Sequence, residues 1–216
     1  MIAINILIIL MLPLLSFIMQ LLLPKSIDRA KAYLSSLIIL TSLVISSSAL
    51  IQIYELSKMT LLDKLSFALT NTALSKIEFS WVSLPNLQIN FGIISDSISV
   101  VMLLVVSLIS FLIHIFSIEY MAGDKRFSRY YAFLGLFTFS MNGIVLSNSL
   151  IMMYLFWELV GLSSFLLIGF WFEKDSAANA SKKELNPTSS QNIYIIVILS
   201  AKTIPFIENV NNPKNA

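Results

Sequence analysis

The chain begins with "MIAINILIILMLPLLSFIMQLLL", and no residue is charged before Lys25. This run most constrains what the chain can fold into. About 20 apolar residues in a helix cross the roughly 30 Å of bilayer hydrocarbon. Lipid offers no partners to the backbone, so such a run must close its hydrogen bonds as a helix. It could pass for a signal peptide, but it has no basic start, its apolar run is too long and no small-residue cleavage site follows. It is read as a retained first membrane helix, Ile2 to Leu23, with a kink at Pro13.

Four further runs repeat the pattern: Ala32 to Tyr54, Ser97 to Ile118, Tyr130 to Leu146 and Leu150 to Phe172. The expectation is an all-α integral membrane protein of about five transmembrane helices, with the last two joined by a tight hairpin at "SNS". Composition agrees. The 216 residues are 57% hydrophobic and only 12% charged, with mean hydropathy +0.84. A soluble domain carries about 25% charge. A net charge of +2 gives no reason to expect nucleic acid as a partner. Cysteine is absent and His114 is the single histidine, so thiolate, iron–sulfur and multi-histidine metal sites have no ligands here.

Four stretches are expected. Residues 1–54 hold the first two helices. Residues 55–95 form a loop containing "IEFSWVSLPNLQINFGI", read as an extramembrane β-hairpin turning at Leu84–Leu87. Residues 96–172 hold helices three to five. Residues 173–216 form a polar tail whose apolar piece, "IYIIVILSAKTIPFI", is short for a span. Lys25, Arg29, Lys31, Lys125, Arg126, Arg129, Lys174, Lys182 and Lys183 follow the odd-numbered helices, and only Lys58, Lys64 and Lys76 lie on the other side. The positive-inside rule then puts the N-terminus and the hairpin on the non-cytoplasmic side.

Glu158 is the lone charge in "YLFWELVGLSSFLLIGFW". It lies about 12 Å from the outer end of its helix, too deep to reach water. A carboxylate there must pair with a cation or take up a proton, which makes it a proton-relay candidate. The alternative is a structural Glu bonded to a neighbouring helix. Tyr154, Gly161, Leu162, Phe165 and Gly169 share its side, and the glycines suggest that this face points into a bundle. Asp96, in "SDSIS", reads as a helix N-cap, with a proton exit as the alternative. His114 is either a second relay or an interior histidine bonded to a helix carbonyl, and a pairing with Glu119 is a further option. Arg129, Tyr130 and Tyr131 read as an interfacial girdle. Ser140, Asn142, Ser163 and Ser164 either line a polar path or bond back to helix carbonyls, the second being favoured.

The motifs "FGIISDSISVVMLLVVSLISFLIHIFSIEYM", "RYYAFLGLFTFSMNGIVLSNSLIMMYLFWELVGLSSFLLIGFW" and "AANASKK" occur in order. From about Trp81 to Lys183 the chain resembles the antiporter-like L subunit (chain 5) of proton-pumping NADH:quinone oxidoreductase, respiratory complex I. The resemblance implies a bundle of fourteen or more helices built on inverted repeats. It also implies that Glu158 is a proton-channel acid whose lysine partner stands on a later helix. No cofactor is implied in this chain: NADH, flavin, iron–sulfur clusters and quinone belong to partner subunits. The partners would be other membrane subunits of that oxidoreductase and the lipid of a bacterial plasma membrane or mitochondrial inner membrane. Similar helices occur in multisubunit sodium/proton antiporters and membrane-bound hydrogenases. In the family "SKK" leads into further helices; here it leads into "ELNPTSSQN". The expectation is therefore a truncated N-terminal fragment, with an antiporter subunit or an inactive membrane remnant as alternatives.

Overall fold

The computed structural model describes residues 2–24, 28–57, 75–84, 87–174, 176–177 and 179–181. The elements run α1 (Ile2–Leu22), α2 (Asp28–Ser57), β1 (Ser75–Leu84), β2 (Leu87–Ser95), α3 (Ser97–Tyr120), α4 (Phe127–Leu146) and α5 (Leu150–Ile168). The polar tail after Ser181 and the Pro85–Asn86 turn lie outside the described residues. All five expected helices and the hairpin are present. By length and composition α1, α2, α3 and α5 qualify as membrane spans, and α4 is the more polar exception.

In lipid, helices gain nothing by hiding apolar surface from one another, so small and polar side chains mark the packed faces. The buried stripe of α2 is Ala32, Ser35, Ile39, Ser42, Ser46 and Ala49; that of α3 is Val100, Leu103, Ser107, Ser110, His114 and Ser117. Both step by threes and fours, the spacing of one helix face. The serines bond across the seams: Ser16 Oγ to Ser35 Oγ at 2.8 Å, and Ser46 Oγ to Ser107 Oγ at 3.4 Å. Gln20 Nε2 donates to Ser35 Oγ at 2.8 Å and to the Lys31 carbonyl at 3.1 Å. Lys31, counted above as a loop cation, lies in the first turns of α2 and is 1% exposed, with Nζ donating to the Leu23 carbonyl at 3.2 Å.

α4 is the most enclosed helix, with Tyr131, Ala132, Thr138, Ser140, Asn142 and Gly143 among its buried residues. At Gly135 a Cβ would meet the Pro13 carbonyl oxygen at 3.1 Å and the Phe17 amide nitrogen at 3.2 Å, so α1 and α4 touch backbone to backbone. Pro13 has no N–H to give the carbonyl four residues earlier, that of Ile9. Asn142 Nδ2 of α4 reaches this oxygen at 3.4 Å, replacing the lost donor from another helix. Ser140 and Ser163 do bond back to carbonyls of their own helices, as favoured above.

β1 and β2 pair antiparallel from Ser75↔Ser95 to Leu84↔Leu87, with an irregularity between Ser80 and Val82. The closing pair is the one expected for a turn at Leu84–Leu87. The hairpin is pinned to the α4–α5 corner: the Asn148 amide donates to the Gly92 carbonyl at 3.2 Å, and Asn148 Nδ2 donates to Glu78 Oε1 at 2.7 Å. Ile93 joins Ile6, Ile9, Leu10, Leu103 and Leu146 in an apolar cluster at this end.

The chain divides into two units, residues 1–167 and 168–216. Within the described part of the second, Lys174 Nζ lies 5.1 Å from the Trp171 ring centroid, and its amide donates to the Trp171 carbonyl at 2.9 Å.

Candidate functional site

Glu158 stands at the midpoint of α5, a helix about 28 Å long. Helix α5 starts cleanly because Ser149 caps it: the Met153 amide donates to the Ser149 carbonyl at 2.9 Å and the Met152 amide to Ser149 Oγ at 3.3 Å. Its bundle-facing stripe is short. Met152 packs on the apolar cluster, Phe156 meets Phe139 edge-on at 5.5 Å and presses on Gly143, and Ser163 is buried. At 100° per residue, Glu158 sits about 140° round the helix from that stripe. Only 6% of the α5 span is buried, against 33% for α1.

Among the described helices, none packs closely on the Glu158 side of α5, where Leu155 and Leu162 stay about half exposed. The reason is the stripe itself: Phe156 fills the gap left by Gly143, which sets Glu158 on a different side of the helix from that contact. Gly169 lies beyond the last residue of α5, in a turn. Tyr154, one turn earlier, is the acid's polar neighbour. Glu158 Oε1 is itself covered and has no hydrogen-bond partner among the described residues.

Asp96 is an N-cap. Its extended backbone (φ −117°, ψ −178°) opens α3, and its Oδ1 accepts from the Ser99 amide at 2.7 Å. Bonds from the Ser99 side chain and backbone hold its carboxyl below the usual carboxylate range. His114 is fully buried, with Nδ1 2.8 Å from the Ser110 carbonyl oxygen. Glu119 is exposed and is not its partner. Tyr131, read above as part of an interfacial girdle, is also fully buried: its hydroxyl donates to the His114 carbonyl at 2.7 Å, tying α4 to α3. Sequence reasoning missed it because a Tyr at a helix start looks alike whether it faces a bundle or a headgroup. The three candidates are not brought into one site. Among the described residues, no three His, Asp or Glu side chains converge as a metal ion would need.

Residues 81–131 match the family model described as NADH-ubiquinone oxidoreductase (complex I), chain 5 N-terminus. Residues 147–197 match NADH:quinone oxidoreductase/Mrp antiporter, TM, reaching past Lys183. The chain is similar to the chain 5 subunits over these stretches. Among these relatives, the subunit 5 of NAD(P)H-quinone oxidoreductase from the organellar chromatophore of Paulinella chromatophora is 43% identical over 128 residues, 59% of this chain and 19% of its own length. The chloroplastic subunit 5 of Adiantum capillus-veneris is 46% identical over 108 residues, 49% of this chain and 15% of its own. That of Piper cenocladum is 35% identical over 159 residues, 74% and 20%. The chain thus spans a fifth or less of the length of these chain 5 relatives. A solved chain of the membrane-bound sulfane sulfur reductase, an archaeal respiratory membrane complex, shares the fold with TM-score 0.64 at 17% identity, covering 91% of this chain and 35% of that one.

Proposed function

We propose that this chain contributes the acid half of a proton site to a proton-translocating membrane subunit of NADH:quinone oxidoreductase. The observation that carries the reading is Glu158, set at mid-helix with a covered carboxylate oxygen that has no hydrogen-bond partner among the described residues, about 140° round α5 from the stripe that packs on the bundle. A carboxylate in lipid needs a cation or a proton. A basic residue on a helix outside the described residues would supply the first, and loss of that pairing would call in the second. The proton then moves when charge displacement elsewhere in the complex weakens the pair. NADH, flavin, iron–sulfur clusters and quinone act in partner subunits on this reading, and Glu158 only holds and releases a proton. The N-terminus and the hairpin face the non-cytoplasmic side. Glu158→Gln in the assembled complex should leave electron transfer from NADH to quinone measurable while lowering protons moved per electron pair. An unchanged ratio would refute the role.

A second reading follows from the family description, which also names Mrp antiporters. There Glu158 would serve exchange of sodium for protons without quinone chemistry. A ΔpH across sealed vesicles that requires sodium and ignores NADH favours it.

A further inference from the structure

His114 is the single imidazole in the chain, and its proton positions can be deduced from its neighbours. Nδ1 lies 2.8 Å from the Ser110 carbonyl oxygen, which can only accept, so Nδ1 carries the hydrogen. The Thr138 hydroxyl donates to the Leu134 carbonyl at 3.0 Å. It must then accept in its 2.7 Å contact with Ser110 Oγ, so the Ser110 proton is directed at Thr138. Ser110 Oγ is left as an acceptor 3.3 Å from Nδ1. The Tyr131 hydroxyl is committed to the His114 carbonyl. The hydroxyls of Ser110, Thr138 and Tyr131 are thus all in use, and neutral Nε2 presents a lone pair. That atom is buried and has no partner among the described residues.

Buried polar atoms in native proteins are satisfied by protein or by ordered water, and the cost of leaving one bare falls when a water fits. The hydroxyl chain leading from Nδ1 runs through Ser110 and Thr138 and stops on the Leu134 carbonyl, which cannot pass a proton on. A through relay needs a group that can give a proton at one ring nitrogen and a group that can take one at the other.

We infer that His114 Nε2 binds a buried water molecule between α3 and α4, and that this imidazole–water pair is a dead end rather than a link in a proton path. The site stands apart from Glu158, so its test does not depend on the function proposed above. The experiment is solid-state NMR of the 216-residue chain, labelled with ¹⁵N-histidine, in lipid nanodiscs. One histidine gives one pair of ring-nitrogen signals. The expected result is a protonated Nδ1, an unprotonated Nε2, and magnetisation transfer from water to the ring carbon protons flanking Nε2. Ser110→Ala and Thr138→Val should leave the tautomer unchanged, because the Nδ1 bond goes to a backbone oxygen. A protonated Nε2, or a ring that receives no magnetisation from water, overturns the inference. So does a tautomer that switches when the Ser110 hydroxyl is removed, since this would make the hydroxyl chain a working part of the site.

Discussion

α4 and α5 are neighbours of nearly equal length with opposite designs. α4 is polar for a membrane helix, and its polar atoms are largely spent on partners in this chain: Thr138 on Ser110, Tyr131 on His114 and Asn142 on α1. α5 is almost wholly apolar, is 6% buried, and its one charged residue lies about 140° round the helix from its packed stripe. Hydrophobicity alone would rank α5 the better-anchored helix. In lipid the order reverses, because contact between helices comes from close packing and polar bonds. α4 is completed by its own chain, whereas no described helix packs closely on the Glu158 side of α5.

The largest expected effect sits where α4 is tightest. Gly135→Leu forces a side chain against the α1 backbone at Pro13 and Phe17 and should destabilise the bundle by about 3 kcal/mol, at the top of the overpacking range. Denaturant titration of the chain in micelles would read it. A loss below about 1 kcal/mol would show α1 and α4 to be loosely packed and would erase the contrast with α5.

Next comes the link between Asn142 and Ile9. Asn142→Leu should cost about 1 kcal/mol, because it strips the carbonyl that Pro13 leaves unbonded. In a Pro13→Ala background residue 13 regains its N–H, and the same substitution should cost little. A double-mutant cycle measures the coupling. Additive costs would mean that Asn142 does not serve the proline gap.

How much of this was legible follows from distance along the chain. Spans, the hairpin register, the Asp96 cap and the oddness of Glu158 depend on residues within a few turns, so the sequence carried them. The Asn142–Ile9 bond joins residues 133 apart, and nothing local marks Asn142 as a donor to another helix. Lys31 and Tyr131 misled for a related reason. Near a helix end, the same side chain suits water, headgroup or bundle, and packing alone decides. Which side of α5 packs, and so where Glu158 lies, depends on Phe156 meeting Gly143, again a contact between helices.

A smaller effect belongs to Asp96, which caps α3 next to the hairpin. Asp96→Ala should cost about 1 kcal/mol. The folded carboxyl is held below its ordinary value, so the wild-type advantage is complete above about pH 4 and fades as pH falls through the lowered value. Stability curves of both proteins against pH should converge in acid. If the gap persists at the most acid pH, the cap does not act through its charge.

The smallest effect tests the contrast most sharply. Leu155 and Leu162 are exposed on α5, 51% and 48% respectively, and Leu162 shares the Glu158 side. In water, trimming such residues exchanges one solvated surface for another. In lipid, acyl chains refill the volume at almost no cost, since they are as apolar as leucine. Leu155→Ala and Leu162→Ala should therefore each shift the stability of this chain alone by less than about 0.5 kcal/mol. Within an assembled complex the expectation divides. Leu162 would stand beside whatever helix completes the Glu158 site, and its loss would leave a cavity that lipid cannot enter. On the function proposed above, co-purification of the chain with other membrane subunits should then weaken for Leu162→Ala and hold for a lipid-facing control such as Val44→Ala on α2, which is 58% exposed. If Leu162→Ala already destabilises the isolated chain by more than 1 kcal/mol, α5 is packed against its own bundle, and the difference between α4 and α5 disappears.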